Sequence, residues 1–302
     1  MTQTSIDAAA PTGAETPSGK GAADENFPVG SILLPKGLRP HVARFYAFAR
    51  AIDDVADNPA LPADEKIRRL EAFDLAQKGD LSVGPGFEKG WWLHESLAET
   101  GVSARHASDL VAAFKQDAVK NRYDDWDDLV GYCEKSANPV GRYLLDLHRE
   151  DPSGYVQSDA LCTVLQIVNH LQDCADDRRA MDRVYIPEPW LQQAGGGVED
   201  LDGAAATPAL RSVMDRMLDG CEVLMAEASR LPAVLKSRRL AMESAVIIRL
   251  ANRLIVLLRN GDPVATRVAL SKIDFAKAGV GGAVSGFFAA GASRTMPKRA
   301  AA

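Results

Sequence analysis

Apolar residues recur at i, i+3 and i+4 through nearly every long segment, and nowhere does a two-residue alternation persist. The pattern predicts helices over 38–57, 63–77, 91–99, 103–120, 127–147, 159–178, 208–229 and 235–260. Pro62 opens the second of these, Ser103 caps the fourth and Asp159 begins the sixth. Gly- and Pro-rich stretches at 79–90 and 187–208 read as loops. The triple glycine at 195–197 has no preceding strand and no following Lys, so it is not a phosphate loop. No repeat period is present, and the expected class is all-α.

Two of these helices carry an acidic seam on an otherwise apolar body. With Tyr46 at zero on a helical wheel, Arg50, Asp53 and Asp57 fall at about +40°, −20° and +20°, with Asp54 at the margin near about +80°. Phe48, Ala51, Ile52 and Val55 occupy the far side. On the sixth helix Gln166, Asn169, Asp173 and Asp177 share one face, backed by Leu161, Val164, Ile167, Val168 and Leu171. A helix that is apolar nearly all round is a buried one. Carboxylates on such a helix cost several kcal/mol each unless they are paired or bind a cation.

An Asp pair alone is most often a solvated, salt-bridged face. Two narrow seams, about 120 residues apart and both flanked by apolar residues, favour a shared cavity in which Mg²⁺ bridges the carboxylates to a diphosphate. Two or three such ions could draw off a leaving diphosphate by Lewis acidity, with Arg50 as a fork donor to the remaining phosphate charge.

Composition narrows the rest. The net charge of −6 and pI near 5.5 argue against nucleic acid as a partner, which would want a basic stripe. Cys133, Cys162, Cys174 and Cys221 show no ligand spacing and read as free thiols of a reducing, cytoplasmic setting. With no composition break in its middle, the chain is expected to form one domain over 25–275, preceded by a disordered tail at 1–24. The Gly- and Ala-rich stretch at 276–302 reads as a floppy tail. The alternative for that stretch is a surface anchor on the inner face of a membrane, with Arg294, Lys298 and Arg299 meeting anionic lipid. The DDWDD cluster (Asp124, Asp125, Asp127, Asp128) sits at a helix start and reads as capping. Of the five histidines only His170 borders a seam.

Several phrases resemble the squalene/phytoene synthase family of head-to-head isoprenoid enzymes: ENFPVGSILLP (25–35), FYAFARAIDDVAD (45–57), YCEKSANPVG (132–141), LQIVNHLQDCADD (165–177) and RVYIP (183–187). The resemblance implies an isoprenoid synthase fold, a helical bundle around a central apolar cavity, acting on a prenyl diphosphate with Mg²⁺. Carried over by position, Asp53, Asp57, Asp173 and Asp177 are the metal-side carboxylates. Tyr46, Arg50, Asp54, Gln166, Asn169 and Tyr132 serve the diphosphate end, Val140 and Gly141 border the chain-binding cavity, and Arg183 and Tyr185 close over the diphosphate.

Departures from the family pattern refine the expected reaction. Asn138-Pro139-Val140-Gly141 stands where GTVG is common, Gln172 where a basic residue is common, and Ala23 where a His is common. Fewer basic groups weaken the case for holding two diphosphates at once. The resemblance is greatest to the bacterial hopanoid branch, whose reaction turns presqualene diphosphate and water into hydroxysqualene and diphosphate without a nicotinamide. Tyr132, Ser136 and Asn169 are candidates to hold the attacking water. The alternatives are condensation of two farnesyl diphosphates to presqualene diphosphate or squalene, and a non-catalytic helical assembly factor. Contact with neighbouring pathway enzymes is a further expectation.

Overall fold

A computed structural model describes residues 33–291. The expectations placed on 1–24, on most of 25–35, and on Arg294, Lys298 and Arg299 lie outside the described residues. Twelve helices follow in chain order: α1 (Arg39–Ala56), α2 (Ala63–Gln77), α3 (Glu88–Thr100), α4 (Arg105–Asp117), α5 (Trp126–Ser136), α6 (Asn138–Leu147), α7 (Tyr155–Met181), α8 (Glu188–Gln193), α9 (Pro208–Ala228), α10 (Leu231–Val234), α11 (Arg238–Asn260) and α12 (Lys272–Ala289). No strand occurs among the described residues, so the all-α expectation holds.

The apolar backs read from the sequence are what hold the bundle together. On α1, Phe48, Ile52 and Val55 are fully buried, and Phe48 meets Phe73 of α2 edge to face at 6.1 Å. Phe45 stacks on Tyr143 of α6 at 3.9 Å, and the Tyr143 hydroxyl donates to the His41 carbonyl, tying α1 to α6. Each such side chain contributes roughly 1.5–3 kcal/mol by burial. α7 is the central helix, packed by α5, α6, α9 and α11, while α1 packs on α2, α3 and α4. The α4–α5 and α4–α6 contacts join the two groups and bring the seams of α1 and α7 within one cavity.

Three differences from the sequence reading have physical causes. The single helix expected over 127–147 is broken at Ala137 (φ −126°), because Pro139 lacks the amide hydrogen and its ring crowds the preceding turn. α7 runs past both expected ends, from Gly154 to a left-handed Asp182 (φ 52°), with Arg178 and Arg179 complementing its C-terminal dipole. The third difference lies near the C-terminal end of the described residues. The segment read as a floppy tail includes α12, started by a capping box in which Ser271 and Asp274 satisfy each other's backbone amides. α12 packs along α11.

The DDWDD cluster does cap α5. The Asp125 carboxylate accepts from the Asp128 amide at 2.9 Å, and Asp128 pairs with Lys120 at 2.5 Å. The four cysteines are free thiols.

Candidate active site

A cavity of about 250 Å³ opens between α1, α4, α5, α7 and the 182–187 loop. α1 supplies Asp53 and its C-cap Asp57, and α7 supplies Gln166, Asn169, His170, Asp173, Asp177 and Met181 from successive turns of one face. Tyr132 and Ser136 come from α5, Phe114 and Asp117 from α4, and Arg183 and Tyr185 from the loop. Eleven of the residues singled out in the sequence therefore share this wall: Asp53, Asp57, Tyr132, Ser136, Gln166, Asn169, His170, Asp173, Asp177, Arg183 and Tyr185.

Tyr46, Arg50 and Asp54 do not line the cavity itself. Arg50 stands behind Asp53 and grips two carboxylates at 2.9 Å each, Asp53 and the buried Asp54. Val140 and Gly141 lie outside this carboxylate-lined wall as well. A Cβ at Gly141 would sit 2.3 Å from Ser158 Oγ and 2.6 Å from Cys162 Sγ. The small residue lets α6 approach α7.

Asp117 escaped sequence reading, being a single carboxylate at the end of α4 with no acidic partner at helical spacing. It is buried, accepts a hydrogen bond from the Tyr132 hydroxyl at 2.7 Å, and its Oδ1 has no partner. Arg183 crosses the floor of the site, donating to Asp57 Oδ1 at 2.9 Å and to the Asp117 carbonyl at 3.3 Å. The rings of His170 and Tyr185 stack at 3.4 Å, with Tyr132 tilted against both. Lys66 of α2 donates to the Ala56 carbonyl at the end of α1, close enough to feel Arg183, Asp57 and Asp117.

These neighbours shift several protonation equilibria. Burial, then repulsion from Asp57, pushes the Asp53 carboxyl up to about 8, although Arg50 pulls the other way. Burial raises Asp117 to about 6 against the attraction of Arg183. Burial and then Arg183 lower His170 to about 3, so its imidazole is neutral at working pH. Burial opposes the charge on Arg183, yet Tyr185, Asp117 and Asp57 hold it firmly cationic.

Carboxylates outnumber cations here, and the donor set facing the cavity from the two seams is oxygen-rich, the chemistry that suits a hard divalent cation. Among the described residues no three Asp, Glu, His or Cys side chains already converge at metal-binding distance, so the seams share the cavity without closing on one point. The raised Asp53 carboxyl and the unpartnered Asp117 oxygen both mark excess negative potential that a cation, or a cation brought with a diphosphate, would relieve. The residues present fit such a group.

The sequence profile of the squalene/phytoene synthase family matches residues 21–274. A hydroxysqualene synthase of Rhodopseudomonas palustris is 42% identical over 267 residues, covering 88% of this chain and 90% of that protein. Its counterpart in Zymomonas mobilis is 39% identical, covering 85% and 86%. A 15-cis-phytoene synthase of Paracoccus is 31% identical, covering 85% of each chain. Among solved structures, a squalene synthase from Alicyclobacillus acidocaldarius superposes with a TM-score of 0.67 at 30% identity, covering 77% of this chain and 87% of that one.

Proposed function

The chain belongs to the squalene/phytoene synthase family, and from that premise we propose that it converts presqualene diphosphate and water to hydroxysqualene and diphosphate. The observation that carries the reading is the meeting of the α1 and α7 acidic seams in one cavity whose floor is Arg183 on an aromatic wall. Relatives at 37–42% identity over most of the chain are hydroxysqualene synthases, which supports the same reaction and a place in squalene and hopanoid biosynthesis.

Asp53 and Asp57 on one side and Asp173 and Asp177 on the other would hold two or three Mg²⁺ ions. Bound there with the substrate, Mg²⁺ supplies Lewis acidity and charge neutralisation at the leaving diphosphate. Arg183, kept cationic by its acidic neighbours, is placed to donate to phosphate oxygens, and Arg50 fixes the orientation of Asp53. The substrate's C–O bond breaks with its electron pair leaving on diphosphate, and a cyclopropylcarbinyl cation remains. Tyr132, Tyr185 and the neutral His170 ring line the space in which that cation rearranges. Neutrality matters at His170, since an imidazolium would repel the cation.

Water then forms the new C–O bond and loses a proton to the departing diphosphate. The Ser136 hydroxyl is buried in the cavity wall without a partner, which suits it to hold that water. The Tyr132 hydrogen is already committed to Asp117. No nicotinamide takes part in this reaction. A cytoplasmic setting with contact on the inner membrane face belongs to the same proposal, because both substrate and product carry a thirty-carbon isoprenoid chain.

A test supplies each candidate diphosphate in turn to the purified chain with Mg²⁺ and no reductant. Release of hydroxysqualene from presqualene diphosphate is expected. Product from farnesyl diphosphate alone, with presqualene diphosphate left untouched, would instead assign the condensation reaction.

A further inference from the structure

α12 buries its small residues and exposes its large ones. Its inner face is Ala278, Gly282 and Gly286. A Cβ at Gly282 would come within 2.6 Å of the Val246 backbone, and one at Gly286 within 2.5 Å of the Ala241 carbonyl oxygen, so glycine is what allows the close approach to α11. On the outer face Ile273, Val280, Val284 and Phe288 are 65%, 73%, 56% and 78% exposed. Those four fall within an arc of about 80° on the helix surface. A helix resting on a core beneath water has the opposite arrangement. Small residues toward the partner helix and large apolar residues outward is the pattern of helices that face hydrocarbon. No helix among the described residues is long and apolar enough to cross a membrane, so α12 would lie along a surface.

The charge around this face is the reverse of the chain as a whole. α11 and α12 together carry seven Lys and Arg against two Asp and Glu, in a chain with 35 and 41. Lys272 and Lys277 are exposed on α12 itself, and Arg238 and Arg249 are exposed on α11 beside it. The Arg238 guanidinium lies 4.9 Å over the Phe287 ring. The acidic residue on α12, Asp274, is paired with Arg253 at 2.8 Å. An apolar groove of about 290 Å³ runs between α10, α11 and α12, with Pro232, Ile248 and Ala289 in its wall and Arg249 among them.

We propose that the outer face of α12 is a docking surface for an anionic lipid bilayer, its apolar stripe among acyl chains and its basic rim on the head groups. Charge complementarity selects lipid over a second copy of the chain, because two copies joined here would bring two basic rims together. The reason for a membrane at this point rests on the proposed function, since a substrate with a long isoprenoid chain must arrive from lipid and the product return to it. The docking itself is testable with no substrate present.

The experiment is flotation of the full chain with phosphatidylcholine vesicles and with phosphatidylcholine–phosphatidylglycerol vesicles. Strong binding to the anionic vesicles is expected, weakening as salt rises. Lys272→Glu with Lys277→Glu should lower it about thirtyfold. Val284→Asp with Phe288→Asp, at exposed positions that leave the fold intact, should lower it about a hundredfold. Both variants should keep wild-type circular dichroism and wild-type turnover of detergent-dispersed substrate. Absence of anionic-vesicle binding overturns the proposal, as does binding unaffected by both double variants. A dimer that Val284→Asp with Phe288→Asp dissolves, without vesicle binding, would assign the face to a second copy and overturn it too. If flotation behaves as expected while turnover of presqualene diphosphate is absent, the docking surface stands and the reaction assignment falls.

Discussion

Replacing Asp53 with Asn should abolish turnover and yet make the cation-free protein more stable. The folded chain holds Asp53 protonated up to about 8, whereas an unfolded Asp releases its proton near 3.8. Keeping that proton costs about 1.4 kcal/mol for each pH unit between the unfolded value and the working pH, or roughly 4 kcal/mol at pH 7 before screening. The Asp53 side chain is 28% exposed to the cavity, so water there reduces the penalty to about 2 kcal/mol. Because the folded state binds the extra proton, the penalty grows as pH rises from 3.8 and is complete above about 8. Asn carries no charge to desolvate, and Arg50 keeps its partner Asp54. Urea midpoints and thermal melts at pH 5 and pH 8, without divalent cation, should show the variant gaining about 3 kcal/mol at pH 8, near 5 °C in Tm, and less than half of that at pH 5. Added Mg²⁺ should stabilise the wild type at pH 8 more than the variant. A variant that is less stable at both pH values would mean that the Arg50–Asp53 pair is a structural salt bridge and that the seam is not held under charge repulsion.

Three other substitutions probe separate parts of the site. Arg183→Met leaves Asp57 and Asp117 without their shared cation, and should lower stability by about 3 kcal/mol in denaturant titration as well as stop turnover. Gly141→Ala should cost about 1–3 kcal/mol by pushing α6 off α7, and Ser158→Ala should recover part of that loss in the double variant, because the nearest clash is with the Ser158 hydroxyl. Ser136→Ala should leave consumption of presqualene diphosphate within about threefold of wild type, while product chromatography shows hydroxysqualene falling in favour of elimination products.

The chain carries much of this fold openly. α2 and α9 start where the sequence places them, because Pro62 and Thr207 with Pro208 mark those ends and the apolar period is unbroken behind them. Both acidic seams are equally legible, each being a local pattern on one helix. What escapes is set by contacts between distant segments. Asp117 gains its importance from Tyr132, 15 residues on, and from Arg183, 66 residues on, and neither spacing is visible as a motif. The part Gly141 plays in letting α6 approach α7 is likewise set by a distant segment and has no local signature. α12 was hidden because its glycines look like loop punctuation, while their purpose is contact with α11. Pro139 is legible, but the apolar period continues across it and hides the break.

The most direct measurement runs the reaction on presqualene diphosphate with Mg²⁺ in ¹⁸O-water and reads the product by mass spectrometry. Ionisation between the two acidic seams, followed by capture of the rearranged cation, predicts hydroxysqualene carrying one solvent oxygen, and no such product when Asp53 or Asp173 is replaced by Asn. An unlabelled alcohol would mean that the diphosphate left by P–O cleavage without any carbocation, and the mechanism drawn from this cavity would be wrong.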